Sequence, residues 1–359
     1  MDTPLAAPAR DRQLSDYTEL ARRVREAGLM RRRYGAYALH AAGLTAGFAA
    51  AGTVSVALGD SWWQLAVAAA LGALLAQVGY LAHDAAHRQV LASPRGNDRL
   101  ALVLSNLVLG LSSGWWTRKH GRHHAGPNRR GADPDIAPDV VVFTPEDGAA
   151  AQRQGGARAW FTAHQGRLLP LLLLLEGANL HRGAVVHLLR GGPTAHPRAE
   201  AALLATRIGG TAALLLWAFP PGLAAAFLGV QLAAFGLLLG GTFATNHIGM
   251  PVVAPDVRLD FLRRQTLMSR NVRGGRGIDL LMGGLNRQVE HHLFPSMPRA
   301  NLRRAQPLVR AHCAALGVRY TEMGLVETLG VVVRHLDRVG IGQRDATPCP
   351  VTQQLRSAR

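Results

Sequence analysis

Two long stretches of this chain carry no Lys or Arg. The first runs from Tyr34 to His87. The second runs from Ile208 to Val257 and holds no acidic residue before Asp256. Each has room for two passes across a bilayer core of ~30 Å, at ~20 residues per helix. The turn Gly59-Asp60-Ser61 divides the first stretch into spans at 34–58 and 62–82. Pro220-Pro221-Gly222 divides the second region into spans at 201–219 and 223–245. The pattern predicts an all-α integral membrane protein with four transmembrane helices in two hairpins. Two further apolar runs, 100–111 and 168–175, are too short to span. They predict helices lying in the interface or buried beneath a helical cap.

Charge sharpens this picture. The 359 residues hold 40 Lys or Arg against 23 Asp or Glu, a net +17, yet 48% are hydrophobic and only 18% charged. That apolar content excludes a disordered basic chain, and two cysteines exclude a disulfide scaffold. The reflex reading of so basic a chain is nucleic-acid binding, but the arginines cluster on one side of the predicted spans, so no nucleic-acid partner is expected. Arg22, Arg23, Arg25 and Arg31 to Arg33 precede the first span, and both hairpin turns lack basic residues. The positive-inside rule then places both termini and the segments 83–200 and 246–359 in the cytoplasm. A bacterial chain of this kind belongs in the plasma (inner) membrane. A polar start followed by a late, long apolar run does not read as a cleavable signal peptide. The expected organisation is a basic segment at 1–33, one domain at 34–340 and a loose tail at 341–359. The Arg-rich stretch from Arg299 to Arg310 reads as a helix whose basic face meets membrane or partner.

The candidate chemistry lies in the 15 histidines. His83 and His87 stand i, i+4 at the end of the second span. His120, His123 and His124 follow an i, i+3, i+4 template, and Gln288, His291 and His292 repeat it with Gln in the first place. Such spacings gather side chains on one helix face. Neutral imidazole is a ligand for Fe, Zn, Cu or Ni, and seven imidazoles exceed what one tetrahedral zinc needs. They suit two metal ions with open positions. A lone pair at i, i+4 is commonly coincidental; three groups at one membrane edge, where imidazoles are otherwise costly, point to metal. His247 ends the fourth span at the depth of His83 and is a candidate eighth ligand. His40 reads as an isolated buried side chain, and His164, His181, His187, His196, His312 and His335 as surface or interfacial ones.

The groups His83-Asp-Ala-Ala-His87, His120-Gly-Arg-His-His124 and Gln288-Val-Glu-His-His292 resemble the three histidine boxes of the integral-membrane fatty acid desaturases. Asn128 to Asp135, Arg270 to Gly275, Gly284 to Gln288 and Leu293 to Pro298 extend the likeness, which covers roughly residues 35–325. Gln288 is similar to the third box of front-end and related acyl-CoA or acyl-lipid desaturases. The resemblance implies a non-haem di-iron centre in a cytoplasmic cap, with two Fe ions held by these histidines. It nominates His247, with Asn246 beside it, to complete the metal shell, and Gln288 as a weak or water-mediated neighbour. It implies that O2 and two electrons place a cis double bond in a fatty acyl-CoA or acyl-lipid substrate drawn from the bilayer. Many front-end relatives carry a fused haem domain marked by His-Pro-Gly-Gly. This sequence has no such motif, so a separate electron donor, a ferredoxin or flavin reductase, is expected.

Metal-bound imidazoles usually give their second N–H to an acceptor. Asp84, Asp133, Asp135 and Glu290 are the nearby acids; ordinary pairing with Arg88, Arg122 or Arg287 is the competing reading. Trp115 and Trp116 read equally as walls of an acyl channel and as an interfacial aromatic belt. A hydroxylase or ketolase of the same superfamily is the enzymatic alternative. A metal transporter would instead need ligands near the bilayer midplane.

Overall fold

A computed structural model describes residues 9–343. Most of the anticipated tail at 341–359 lies outside them. The order is α1 (Ala9–Glu26), α2 (Tyr34–Leu58), α3 (Gln64–Ala86), α4 (Pro94–Leu102), α5 (Ser113–Ala125), α6 (Pro145–Gln154), α7 (Gly156–Leu189), α8 (Pro197–Ala218), α9 (Pro221–His247) and α10 (Phe261–Leu267). There follow β1 (Asn271–Arg273), α11 (Arg276–Leu281), α12 (Gln288–Leu293), α13 (Arg299–Ala315), β2 (Glu322–Gly324) and α14 (Leu325–Gly340). The strands β1 and β2 form a three-residue parallel ladder, Asn271 opposite Glu322.

Among the described residues four helices, α2, α3, α8 and α9, are long and apolar enough to cross a membrane, and the chain is a multi-pass membrane protein. They coincide with the four expected spans, with α3 and α9 running on to the histidines that end them. Lipid-facing positions such as Val56 (85% exposed) and Trp217 (84%) would be costly in water. Trp62 and Trp63 are exposed at the hairpin turn, where amphipathic rings suit a membrane interface.

The hairpins do not pack as separate units. The main seam joins α3 to α9, one helix from each. Gly72 makes this possible: a Cβ there would lie 2.5 Å from the Gln231 carbonyl oxygen and 2.7 Å from the Ala234 side chain. The helix α8 meets α9 mainly near their turn, where Leu215 and Phe219 cluster with Phe227. Farther along it packs against residues 103–109.

The two short apolar runs are helical, as expected, but neither forms a short helix of its own. The run 168–175 is the middle of the 34-residue α7, which crosses α9 where Gly177 and Gly236 bring the backbones together. The run 100–111 leaves α4 as a π-helical segment, Val103–Leu109, and turns at Gly110 (φ 81°). It meets α5 at 114°.

Beyond the spans, α1, α10, α12 and α13 enclose a second core around Leu20, Val24, Leu262, Leu293, Leu302 and Val309. Part of the expected basic N-terminal segment is therefore an integral wall of the cap. His312 is buried and meets the Asp16 carbonyl oxygen at 2.8 Å, and half-buried His181 reaches that of Leu109 at 2.9 Å. His312 is therefore buried where a surface or interfacial side chain was expected.

Candidate metal centre

The histidines reach one place from four directions. α3 ends at His83 and His87, α5 carries His120, His123 and His124, α9 ends at His247, and α12 presents His291 and His292. The cap core holds α12 against the ends of the spans. Five of these residues, His83, His87, His120, His124 and His291, form one group; His123, His247 and His292 form another. Within each group the ligand atoms lie within 4.8 Å of one another.

This partition corrects the shared-face reading of the boxes. Neighbouring residues on a helix point ~100° apart. His123 therefore leaves the group of His120 and His124, and His292 leaves that of His291. The second and third boxes each serve both groups.

The nitrogen geometry has the character of ligand shells. Nε2–Nε2 separations are 2.9 Å for His87–His120, 3.0 Å for His120–His124, 3.1 Å for His124–His291 and 3.3 Å for His123–His247. Ligands ~2.1 Å from one cation stand about 3.0–3.4 Å apart in octahedral or tetrahedral arrangements. The tautomers agree. The Nδ1 of His247 lies 3.0 Å from the Met268 carbonyl oxygen, and that of His123 lies 3.0 Å from Asp133 Oδ2. Both partners are acceptors, so each Nδ1 carries its proton and each Nε2 a lone pair. Two lone pairs facing at 3.3 Å repel unless a metal ion or a proton sits between them. His83 Nε2 and His292 Nε2 are buried without any hydrogen-bond partner, as ligand atoms would be.

Electrostatics favour the neutral ligand form at four of the histidines. Burial, reinforced by neighbouring imidazoles, holds His120, His124, His291 and His292 well below the ordinary imidazole value. Burial also lowers His123, but its hydrogen bond to Asp133 and the charge of Asp135 outweigh that and raise it. Burial would raise Asp133; the His123 contact and the N–H groups of Asp135 and Asn128 prevail and hold it down.

The supporting residues divide. Asp133 Oδ2 also accepts from the Asn128 N–H at 2.7 Å, while Asn128 Nδ2 donates 3.0 Å to the His247 carbonyl oxygen. Asp135 lies 3.3 Å from His123 Nδ1 and pairs with Lys119 at 2.6 Å. Asp84 Oδ1 is 3.3 Å from His83 Nδ1. Its ion-pair partner is Arg299, at 2.8 Å, rather than Arg88, Arg122 or Arg287. Arg299 thus turns inward, contrary to its expected place on a partner-facing surface. Glu290 is fully buried but backs no histidine. It accepts from Tyr320 at 2.6 Å and Asn271 at 2.8 Å; burial pushes its carboxyl up against those bonds. Gln288 accepts from Asn246 at 3.0 Å and directs its amide nitrogen to His247 Nε2 at 3.0 Å.

Trp116 stacks on His120, centroids 4.3 Å apart, and meets His83 edge-on. It lines a narrow apolar cavity with Tyr80, His83, Leu109, Leu239 and Phe243. Trp115 lies against Gly183 instead. Gln265 escaped sequence reasoning: it bonds the His124 carbonyl oxygen and His292 Nδ1, both at 2.9 Å. The Met268 carbonyl oxygen behind His247 escaped it too. Neither position carries a spacing signal.

A family profile described as "Fatty acid desaturase" matches residues 60–324. The chain is similar to an acyl-lipid (9-3)-desaturase of Physcomitrium patens, 30% identical over 77% of this chain and 53% of that protein. It is 32% identical to an acyl-lipid 8-desaturase of Rebecca salina over 72% of this chain and 59% of the relative. It is 29% identical to a Delta 8-(E)-sphingolipid desaturase of Kluyveromyces lactis, over 81% and 54%. The chain spans little more than half the length of these relatives.

Proposed function

The chain belongs to the fatty acid desaturase family, and on that premise we propose that it is a membrane-bound desaturase placing a double bond in a fatty acyl chain. The observation that carries this reading is the position of His83. It belongs to the five-histidine group and also lines the apolar cavity beside Trp116 and Phe243.

We assign His83, His87, His120, His124 and His291 to one iron and His123, His247 and His292 to the other. Two irons held there would supply the O2 activation needed to remove hydrogen from an unactivated methylene. The surrounding residues do the rest. Met268, Asp133, Gln265 and Asp84 hold protons on Nδ1 of His247, His123, His292 and His83 and so aim Nε2 inward. Leu109, Leu239 and Phe243 offer a methylene chain an apolar wall, and Trp116 closes that wall over His120 and excludes water. Asn246 fixes the orientation of the Gln288 amide, whose N–H end faces the three-histidine group.

The substrate is an acyl group carried on CoA or a lipid; the acyl-lipid and sphingolipid relatives favour a lipid carrier. O2 is the co-substrate. Electrons come from a redox carrier that these 359 residues do not contain, a ferredoxin or flavin reductase. The cap faces the cytoplasm, across the plasma (inner) membrane if the cell is bacterial, because the arginines flank the cap ends of the spans.

Expression in a host lacking the activity, with fatty acids profiled by mass and double-bond position, tests the proposal. A product lighter by two hydrogens supports it. A product heavier by one oxygen identifies a hydroxylase, and no product with a competent donor refutes it. His123→Ala or His291→Ala should abolish the product and leave the chain in the membrane.

A further inference from the structure

Among the described residues, one buried carboxyl besides Glu290 serves none of the eight clustered histidines. Glu200, in the first turn of α8, is only 1% exposed. Its Oε2 accepts from Ser112 Oγ at 2.6 Å and from the Gly114 N–H at 3.2 Å; its Oε1 accepts from Thr194 Oγ1. An acid early in a helix commonly favours the helix dipole from the surface. Here the carboxyl is buried and two of its partners lie 86 and 88 residues earlier, at the start of α5. Every partner is a donor, so both oxygens serve as acceptors.

The surrounding residues are built for this contact. A Cβ on Gly114 would stand 2.5 Å from Thr194 and 2.8 Å from Glu200 Oε1. The bare glycine is what lets the carboxyl close on the backbone. Ser112 caps α5 by accepting from the Trp115 N–H at 3.1 Å, and Asn106 Oδ1 accepts from the Ser113 N–H at 3.2 Å. The N–H groups of Ser113, Gly114 and Trp115 are thus each held by a side chain. Without such partners, N–H groups at a helix start are left unsatisfied.

The turn held in this way joins two walls of the apolar cavity. Leu109 precedes it, Leu111 lies within it, and Trp116, stacked on His120, follows it. We propose that Glu200 is a positioning residue: it latches α8 to the Gly110–Ser113 turn and thereby sets how far along an acyl chain the five-histidine group reaches. The proposal rests on the desaturase reading for its substrate, but the latch itself does not. It also accounts for the packing of α8, which leaves its hairpin partner to lie along the π-helical segment.

The test uses the full chain in lipid nanodiscs and in the expression host. Glu200→Ala should speed amide hydrogen exchange at Ser113–Trp116 about tenfold, the effect of losing a buried hydrogen bond. Exchange across α12 and α13 should not change. In cells the same variant should spread the double bond over neighbouring carbons, while Glu200→Gln, which keeps the side-chain length and one acceptor, restores most of the wild-type position. If Glu200→Ala does not fold, Ser112→Ala decides by the same two readouts, with smaller shifts in the same directions. A folded variant with wild-type exchange at 113–116, or with loosened exchange but an unmoved double bond, overturns the proposal. If the wild-type chain makes no unsaturated product, the desaturase reading fails; the exchange measurement still decides whether the latch exists.

Discussion

Replacing Asp133 should weaken one half of the proposed metal centre and spare the other. Its Oδ2 accepts from His123 Nδ1 at 3.0 Å and from the Asn128 N–H at 2.7 Å, and its Oδ1 accepts from the Asp135 N–H at 2.9 Å. Asp133→Asn leaves one acceptor for three donors. With the amide oxygen kept toward His123, the NH2 opposes the Asp135 N–H; turned around, it opposes the other two. Asp133→Ala removes every acceptor, and only Asp135, at 3.3 Å and engaged by Lys119, remains to hold the His123 tautomer. Losing such a partner typically costs 10–100-fold in metal affinity, or about 1.4–2.7 kcal/mol. The Asn variant belongs near the lower end and the Ala variant near the upper. Anaerobic titration of metal-free protein with Fe(II), followed by metal analysis, should show the site of His123, His247 and His292 weakened in that order. The five-histidine site should fill as in wild type. Two unweakened sites, or equal weakening of both in a folded protein, would refute the assignment of His123 to the smaller group.

Other residues make separate tests. Gly236→Ala sets a Cβ 2.3 Å from the Gly177 nitrogen and 2.7 Å from the Leu173 carbonyl oxygen; such overpacking costs about 1–3 kcal/mol or more. The chain should lose thermal stability in detergent, whereas Gly229→Ala, with open space at its Cβ, should not. Arg299→Ala leaves the Asp84 carboxylate buried without its cation, a loss of about 3–5 kcal/mol. It should lower the yield of folded protein more than Arg303→Ala, whose side chain is exposed. Burial pushes the Cys313 thiol up to about 11. Because this folded-state value lies above the unfolded one, its contribution is present at neutral pH and is lost as pH rises through about 11. Maleimide at pH 8, read by mass spectrometry, should leave Cys313 unlabelled until the chain is unfolded.

Much of the fold was legible because lipid demands long uncharged helices, and two charge gaps delimit them. The break at Gly110 and the length of α7 were not. The apolar run within α7 is short because its ends pack in the protein, where polar residues find partners. The histidines stood out because i, i+3 and i+4 are local helix spacings. Asp133 and Asp84 stood beside them in sequence; Gln265 and Glu200 did not.

Sequence by itself determined the number of spans, the side on which the arginines gather and the eight imidazoles available there. Only the tertiary structure decided their division into five and three, the inward turn of Arg299 and the reach of Glu200 to Ser112. The physical reason is the range of the interactions. Burial pattern and helix periodicity act between residues a few positions apart. The sharing of a cation, or the pairing of a buried carboxyl, depends on where helices distant in sequence cross, and packing at Gly72 and in the cap core sets those crossings.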